Sequence, residues 1–265
     1  MNKKTILAFA IIVLVLSVSA LLLFKDGTFG MAVHPRLNGT MELVVIPYFS
    51  PTDSQWQAIY DEAQEYPGTI KYVVINPCSG PCGAALSSDW AQVISSLRER
   101  GINTLGYVYN TNESLGNIDY YMKGTGVHTD GIFFDNEGSE NDVGSFQQYA
   151  AYVHHLGGIV YINPGYNYSY VSNYLLSGES DVANMYELGY GDSHKISENK
   201  AFSPWKTSVI LGNVTNPEEL RSGLSELASK GIGISYLYGD SYGRLPKFFS
   251  SEVEEAAGTF VRDGK

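Results

Sequence analysis

Beyond residue 40 the chain alternates short apolar runs with longer segments whose apolar residues recur three or four apart. Residues 43–49 form the first apolar run and read as a strand. Over residues 54–65, Trp56, Ile59 and Ala63 fall on one helical face. A strand is predicted over 70–76. A helix follows to residue 100, capped by Ser88 or Asp89, with Trp90, Val93, Ile94 and Leu97 inward and Gly101 stopping it. Further strands are predicted over 103–109, 131–135, 159–163, 181–187, 206–211 and 233–238. Further helices are predicted over 114–122, 143–156, 168–176, 217–230 and about 246–261. Eight strand–helix units are the count of a (β/α)8 TIM-type barrel. A doubly wound open sheet is the alternative, but no Gly-x-Gly-x-x-Gly turn follows the first strand.

The strand over 131–135 is Gly131-Ile132-Phe133-Phe134-Asp135, apolar until it stops on a carboxylate. In a parallel barrel, the residue at a strand's carboxyl end faces the active site. Asp135 could equally cap the helix that follows. The other strand ends carry Tyr48, Asn76, Tyr109, Asn163, Glu187 and Tyr238 with Asp240. Paired carboxylates with amides and aromatic rings match the needs of glycoside hydrolysis. One carboxyl protonates the leaving oxygen, the other attacks or stabilises the anomeric carbon, and rings stack on sugar C–H faces. Each residue also has a plain structural reading. Asn76 and Asn163 precede proline, as turn openers do. Glu187 could be only the polar end of a strand, the tyrosines could close the core, and Glu137 could be a solvated loop charge.

Charge and composition narrow the partners. With 20 tyrosines and only 17% charged residues, the chain has the make-up of a folded domain. The net charge is −11, and leaving out residues 1–26, with three lysines and one aspartate, moves it to −13. Such a surface disfavours nucleic acid and polyanionic substrates. Residues 6–24 are apolar except for Ser17 and Ser19. As a helix they would span ~28 Å, close to a bilayer core. Lys3 and Lys4 precede them, which predicts a cytoplasmic amino end and the main domain outside. Val18-Ser19-Ala20 resembles a cleavage site, but Leu21-Leu22-Leu23-Phe24 extend the apolar run and favour an uncleaved anchor over a removed signal. Cys78 and Cys82 flank Ser79-Gly80-Pro81, and in an oxidising compartment a disulfide is expected there. The five histidines lack metal-ligand spacing, so neither metal nor cofactor is expected.

Several motifs together resemble the spherulation-specific family 4 (spherulin 4-like) proteins. They are Ile46-Pro47-Tyr48-Phe49, Ile75-Asn76-Pro77 with Ser79-Gly80-Pro81, Leu105-Gly106-Tyr107-Val108-Tyr109, Ile118-Asp119-Tyr120, Gly131-Ile132-Phe133-Phe134-Asp135, Asn163-Pro164-Gly165, Tyr186-Glu187, and Leu245-Pro246 with Phe248-Phe249. The resemblance implies a (β/α)8 barrel related to microbial exopolysaccharide galactosaminidases. Characterised relatives cleave α-1,4-linked galactosamine or N-acetylgalactosamine polymers, and by resemblance Asp135 and Glu187 occupy the positions of the catalytic carboxylates. A cationic galactosamine polymer also suits the negative surface. The family's fourth-strand motif usually reads Asp-Glu. This chain has Asp135-Asn136, with Glu137 one place later. An amide cannot donate the proton a carboxylic acid would.

The expectation is therefore a segment 1–26 serving as membrane anchor or signal, a linker 27–41, and a barrel over 42–265. The barrel acts outside the cytoplasm as a glycoside hydrolase, with retention favoured, on a galactosamine-type polysaccharide. Asp135 is the expected nucleophile and Glu187 the acid/base. Tyr48, Asn76, Tyr107, Tyr109, Asp119, Asn136, Glu137, Asn163, Tyr238 and Asp240 are the expected substrate contacts. The rival is a carbohydrate-binding surface barrel without turnover, which Asn136 favours.

Overall fold

The computed structural model describes residues 37–109, 114–123, 126–135, 143–165 and 168–262. The expected anchor over 1–26 and residues 27–36 of the linker lie outside them. Among the described residues, no helix is long and apolar enough to cross a membrane.

Eight parallel strands close into a barrel in chain order. They are β1 (Glu42–Val45), β2 (Ile70–Ile75), β3 (Asn103–Tyr109), β4 (Gly131–Asp135), β5 (Ile159–Asn163), β6 (Val182–Gly189), β7 (Thr207–Gly212) and β8 (Ile234–Leu237). The helices are α1 (Gln55–Glu65), α2 (Ser88–Arg98), α3 (Ser114–Met122), α4 (Val143–His155), α5 (Tyr168–Leu176), α6 (Pro217–Ser229) and α7 (Phe249–Gly258). The chain closes where Glu42 and Leu43 pair with Ile234 and Ser235. The β6–β7 connection departs from the expected eight units. It holds two 3-10 turns, Tyr190–Lys195 and Pro204–Lys206, in place of an α-helix. Its polar run, punctuated by Gly191 and Pro204, has no apolar stripe to dock on the sheet.

Other differences are local. β1 ends at Val45 rather than at residue 49, because Pro47 has no N–H for the ladder. The cap of α2 is Ser87, whose Oγ accepts the Trp90 N–H at 3.3 Å. The last helix starts at Phe249 and not near 246. Thr40 and Met41, expected in the linker, are buried. Thr40 bridges Phe260, and the Met41 N–H donates to the Thr259 carbonyl at 2.8 Å.

The barrel interior is filled by aromatic and branched side chains. Tyr72, Tyr161, Phe133 and Tyr107 form a continuous series of ring contacts across it, with centroids 5.1–6.2 Å apart. Outside the sheet, Trp56 of α1 meets Trp90 of α2 edge-on at 5.9 Å. Burying rings of this size supplies much of the hydrophobic stabilisation. This packed floor fixes the strand ends above it.

Candidate active site

Asp135 is the last residue of β4, and the register sets it beside Asn163, the last of β5. Glu187 lies near the end of β6. The three meet on the carboxyl-end face. Asn163 Nδ2 donates to Asp135 Oδ1 at 2.9 Å and to Glu187 Oε2 at 2.9 Å. Two such bonds from one atom keep those oxygens within twice that length of each other. Each carboxylate also accepts from a tyrosine hydroxyl. Tyr107 Oη donates to Asp135 Oδ2 at 2.5 Å, and Tyr242 Oη donates to Glu187 Oε1 at 2.8 Å.

The bridging amide is held from beneath. Asn184, wholly buried on β6, donates from Nδ2 to Asn163 Oδ1 at 2.7 Å. Its own Oδ1 accepts Ser208 Oγ at 3.3 Å, and Ser208 accepts Tyr161 Oη at 2.6 Å. Donors thus point upward along the barrel axis, and the last of them is the amide NH2 that both carboxylates share.

The tyrosines around the pair remain protonated donors. Burial, with the Asp135 and Glu187 charges adding, pushes the Tyr48 hydroxyl up to about 12. Burial and the bond to Asp135 raise Tyr107 well beyond its ordinary value. Burial and the Glu187 charge do the same for Tyr242. Tyr242 stacks on Tyr238 at 4.3 Å and tilts against Tyr48 at 5.3 Å, and Tyr48 meets Tyr107 edge-on at 5.9 Å. Beside Glu187 the cleft opens to a volume of about 330 Å³ between Gly165, Gly189, Gly212, Asn213 and Tyr238. At Gly212 an added Cβ would stand 2.8 Å from the Tyr238 ring, so a larger residue would push that ring out of its place.

Of the residues expected from sequence, Asp135, Glu187, Tyr48, Tyr107, Asn163 and Tyr238 come together. Asn163 contacts the carboxylates themselves. Tyr109 stands at the rim, 44% exposed, in register with Asp135. Asn76 accepts the Gly80 N–H at 2.9 Å and so organises the turn that the Cys78–Cys82 disulfide closes. Asp119 lies apart on α3, accepting Tyr152 Oη at 2.6 Å and pairing with Lys123 at 3.3 Å. Asp240 is exposed and paired with Arg244 at 2.7 Å, lining a neighbouring cavity. Asn136 and Glu137 lie outside the described residues. Sequence reasoning missed Tyr242, Asn184 and Asn213. A lone asparagine inside the apolar run Val182-Ala183-Asn184-Met185 was the available signal for Asn184. Nothing local distinguished Tyr242 from the chain's other tyrosines.

The profile of the family described as Spherulation-specific family 4 matches residues 42–256, from β1 into α7. The chain belongs to this family. Among solved structures, the spherulation-specific barrel is similar to Sph3 of Aspergillus clavatus, determined in complex with GalNAc. The TM-score is 0.69 at 20% identity, over 83% of this chain and 98% of that one. It is also similar to a GH18 chitinase from Pseudoalteromonas aurantia, with TM-score 0.54 and 9% identity over 81% and 99% of the two chains. An α-L-fucosidase isoenzyme from Paenibacillus thiaminolyticus gives 0.52 at 14% identity, over 82% of this chain and 48% of that one. At these identities the likeness is one of fold. No curated protein sequence matches the chain.

Proposed function

We propose that this member of the spherulation-specific family 4 is a glycoside hydrolase that cleaves an α-linked galactosamine or N-acetylgalactosamine polysaccharide with retention. The carboxylate pair bridged by Asn163 carries this reading. Retaining enzymes hold their two carboxyl groups ~5–5.5 Å apart, whereas inverting ones need ~6.5–9.5 Å to admit a water. One amide nitrogen bonded to both carboxylates brings one oxygen of each close together and is compatible with the shorter spacing. The complex of Sph3 with GalNAc supports the sugar class, and the net charge of −11 suits a cationic polymer.

In this reading Glu187 is protonated in the substrate complex; Asp135 Oδ attacks the anomeric carbon as the glycosidic C–O bond breaks, and Glu187 gives its proton to the departing oxygen. Glu187 then takes a proton from water, whose oxygen displaces Asp135 and frees the sugar. Tyr107 supports Asp135 as the nucleophilic anion, and Glu187 lines the open cleft where a leaving oxygen would lie. The apolar run over residues 6–24 would tether the barrel outside the cytoplasm. Protease added to intact cells should then digest the barrel, and a barrel protected until lysis would count against that topology.

The second reading is a carbohydrate-binding barrel without turnover. Asn136, where the family usually has Glu, favours it. Incubation with galactosaminoglycan separates the two. The enzyme releases new reducing ends, whereas the binder retains polymer of undiminished length.

A further inference from the structure

The cleft beside Glu187 continues past Asn213. A second cavity of about 240 Å³ lies on the same rim, between the 213–215 loop after β7 and the 239–248 loop after β8, and Asn213 lines both spaces. We propose that this cavity is a further sugar subsite, taking one pyranose unit of the chain, so that the polysaccharide runs from Glu187 across Asn213 to Asp240 and Arg244. The subsite rests on the reading of the carboxylate pair as a glycosidase centre.

Asn213 has a left-handed backbone, with φ of 60°. Asparagine is among the few residues with a Cβ that take this conformation readily, and here it fixes where the side-chain amide projects. It is held in place because the Asn213 N–H donates to the Gly239 carbonyl at 2.8 Å and the Val214 N–H to Tyr238 at 3.1 Å. The Asn213 amide leans over Gly189, where an added Cβ would stand 3.3 Å from Nδ2. Gly189 is two residues beyond Glu187, so the amide stands on the wall between the two spaces.

The far wall has the chemistry of a sugar site. Arg244 Nη2 donates to both Asp240 oxygens, at 2.9 and 2.7 Å, and both side chains are exposed. Acceptors and donors therefore stand side by side, as neighbouring ring hydroxyls require. Leu245, Pro246 and Phe248 supply an apolar wall for the C–H face of a ring. The loop is also pre-organised. The Tyr48 N–H donates to the Tyr242 carbonyl at 2.8 Å, and the Leu245 N–H donates to Gln55 Oε1 at 2.7 Å. A site already in its bound shape loses little freedom on binding. The volume falls below the ~300–1,000 Å³ of pockets for drug-sized ligands, which suits one ring.

The test is calorimetric titration of the full-length chain, in an Asp135→Asn background that stops turnover. The ligands are α-1,4-linked galactosamine and N-acetylgalactosamine mono-, di- and trisaccharides. Affinity should rise at least ~10-fold from the single sugar to the longer ligands. Arg244→Ala should cut that gain below ~3-fold. So should Asn213→Gly, which keeps the left-handed backbone and removes only the amide. A gain of full size in both variants, or no gain in the parent, overturns the subsite and leaves the glycosidase reading standing. Absence of binding by every sugar overturns that reading, and the subsite with it.

Discussion

Asn184 Nδ2 donates to Asn163 Oδ1 at 2.7 Å, and this bond decides which way the Asn163 amide faces. With its oxygen engaged below, Asn163 has its NH2 upward between Asp135 and Glu187. The reversed amide would set its oxygen against two carboxylates and its NH2 against another NH2. Asn184→Ala should leave Asn163 Oδ1 with only the long bond from the Gly165 N–H at 3.4 Å, costing ~1 kcal/mol of stability. It should lower kcat ~10–100-fold. Asn184→Asp offers an acceptor where a donor stood and so favours the reversed amide. It should cost more activity than Asn184→Ala for a comparable loss of stability. Steady-state kinetics beside denaturant unfolding of both variants checks this. Activity that simply tracks stability would reduce Asn184 to a packing role.

Tyr242 is tied to Glu187 through its hydroxyl alone, while its ring stacks on Tyr238. Tyr242→Phe therefore keeps the stack and removes one hydrogen bond to a charged partner. Such bonds contribute ~1.5–3 kcal/mol, so Tm should fall by roughly 3–12 °C, and kcat should fall ~10–100-fold because the same donor steadies Glu187 during proton transfer. Kinetics at wild-type levels would mean that Glu187 does not need this donor.

The architecture was legible because barrel strands are continuous apolar runs and their helices carry apolar stripes. β3, β4 and β5 have the expected bounds to the residue. The carboxylates were legible for a related reason, since Asp135 and Glu187 interrupt apolar strands where the barrel opens. What lay hidden depends on contacts between residues distant in the chain. Tyr242 reaches Glu187 across 55 positions, and Tyr161 reaches Ser208 across 47. Asp240, near a strand end like Glu187, instead faces a separate cavity, because the loop after β8 carries it beyond the central cleft. Position in a strand predicts a residue's height in the barrel, but a loop is free to turn a side chain elsewhere.

Glu252 gives the fold a pH dependence. It is wholly buried on α7, and its Oε1 accepts the Leu237 N–H at 2.8 Å, beyond the point where β1–β8 pairing stops. Burial pushes its carboxyl up to about 8, and the Tyr236 ring shares its surroundings. In the unfolded chain the group titrates near ~4.3. Between these values the folded state holds a proton that the unfolded state has released. This contribution is complete below the unfolded value and is lost as pH rises through about 8. Glu252→Gln removes the titration. Unfolding free energies at pH 5 and pH 9 should decline less in the variant, by on the order of a few kcal/mol. Identical declines would show that Glu252 does not titrate with folding.

The Cys78–Cys82 disulfide closes a short turn that Asn76 also holds, and the Cys82 carbonyl accepts Tyr120 Oη at 2.9 Å. A loop this short contributes ~2 kcal/mol through the unfolded chain, so replacing both cysteines by alanine should lower Tm by roughly 4–8 °C. The native protein should have a mass two hydrogen atoms below its reduced form. Two thiols that alkylate freely without denaturant would contradict the pairing.

In the proposed reaction Asp135 and Glu187 perform the cleavage, each acting in the transition state. The most direct measurement is reducing-end release from galactosaminoglycan by wild type, Asp135→Asn and Glu187→Gln, with folding checked by circular dichroism. Wild type should shorten the polymer, and each folded amide variant should be slower by at least ~10³-fold. Variants that cleave at near wild-type rate would contradict the assignment of the pair. A wild type that binds the polymer and never shortens it would make this barrel a binding protein.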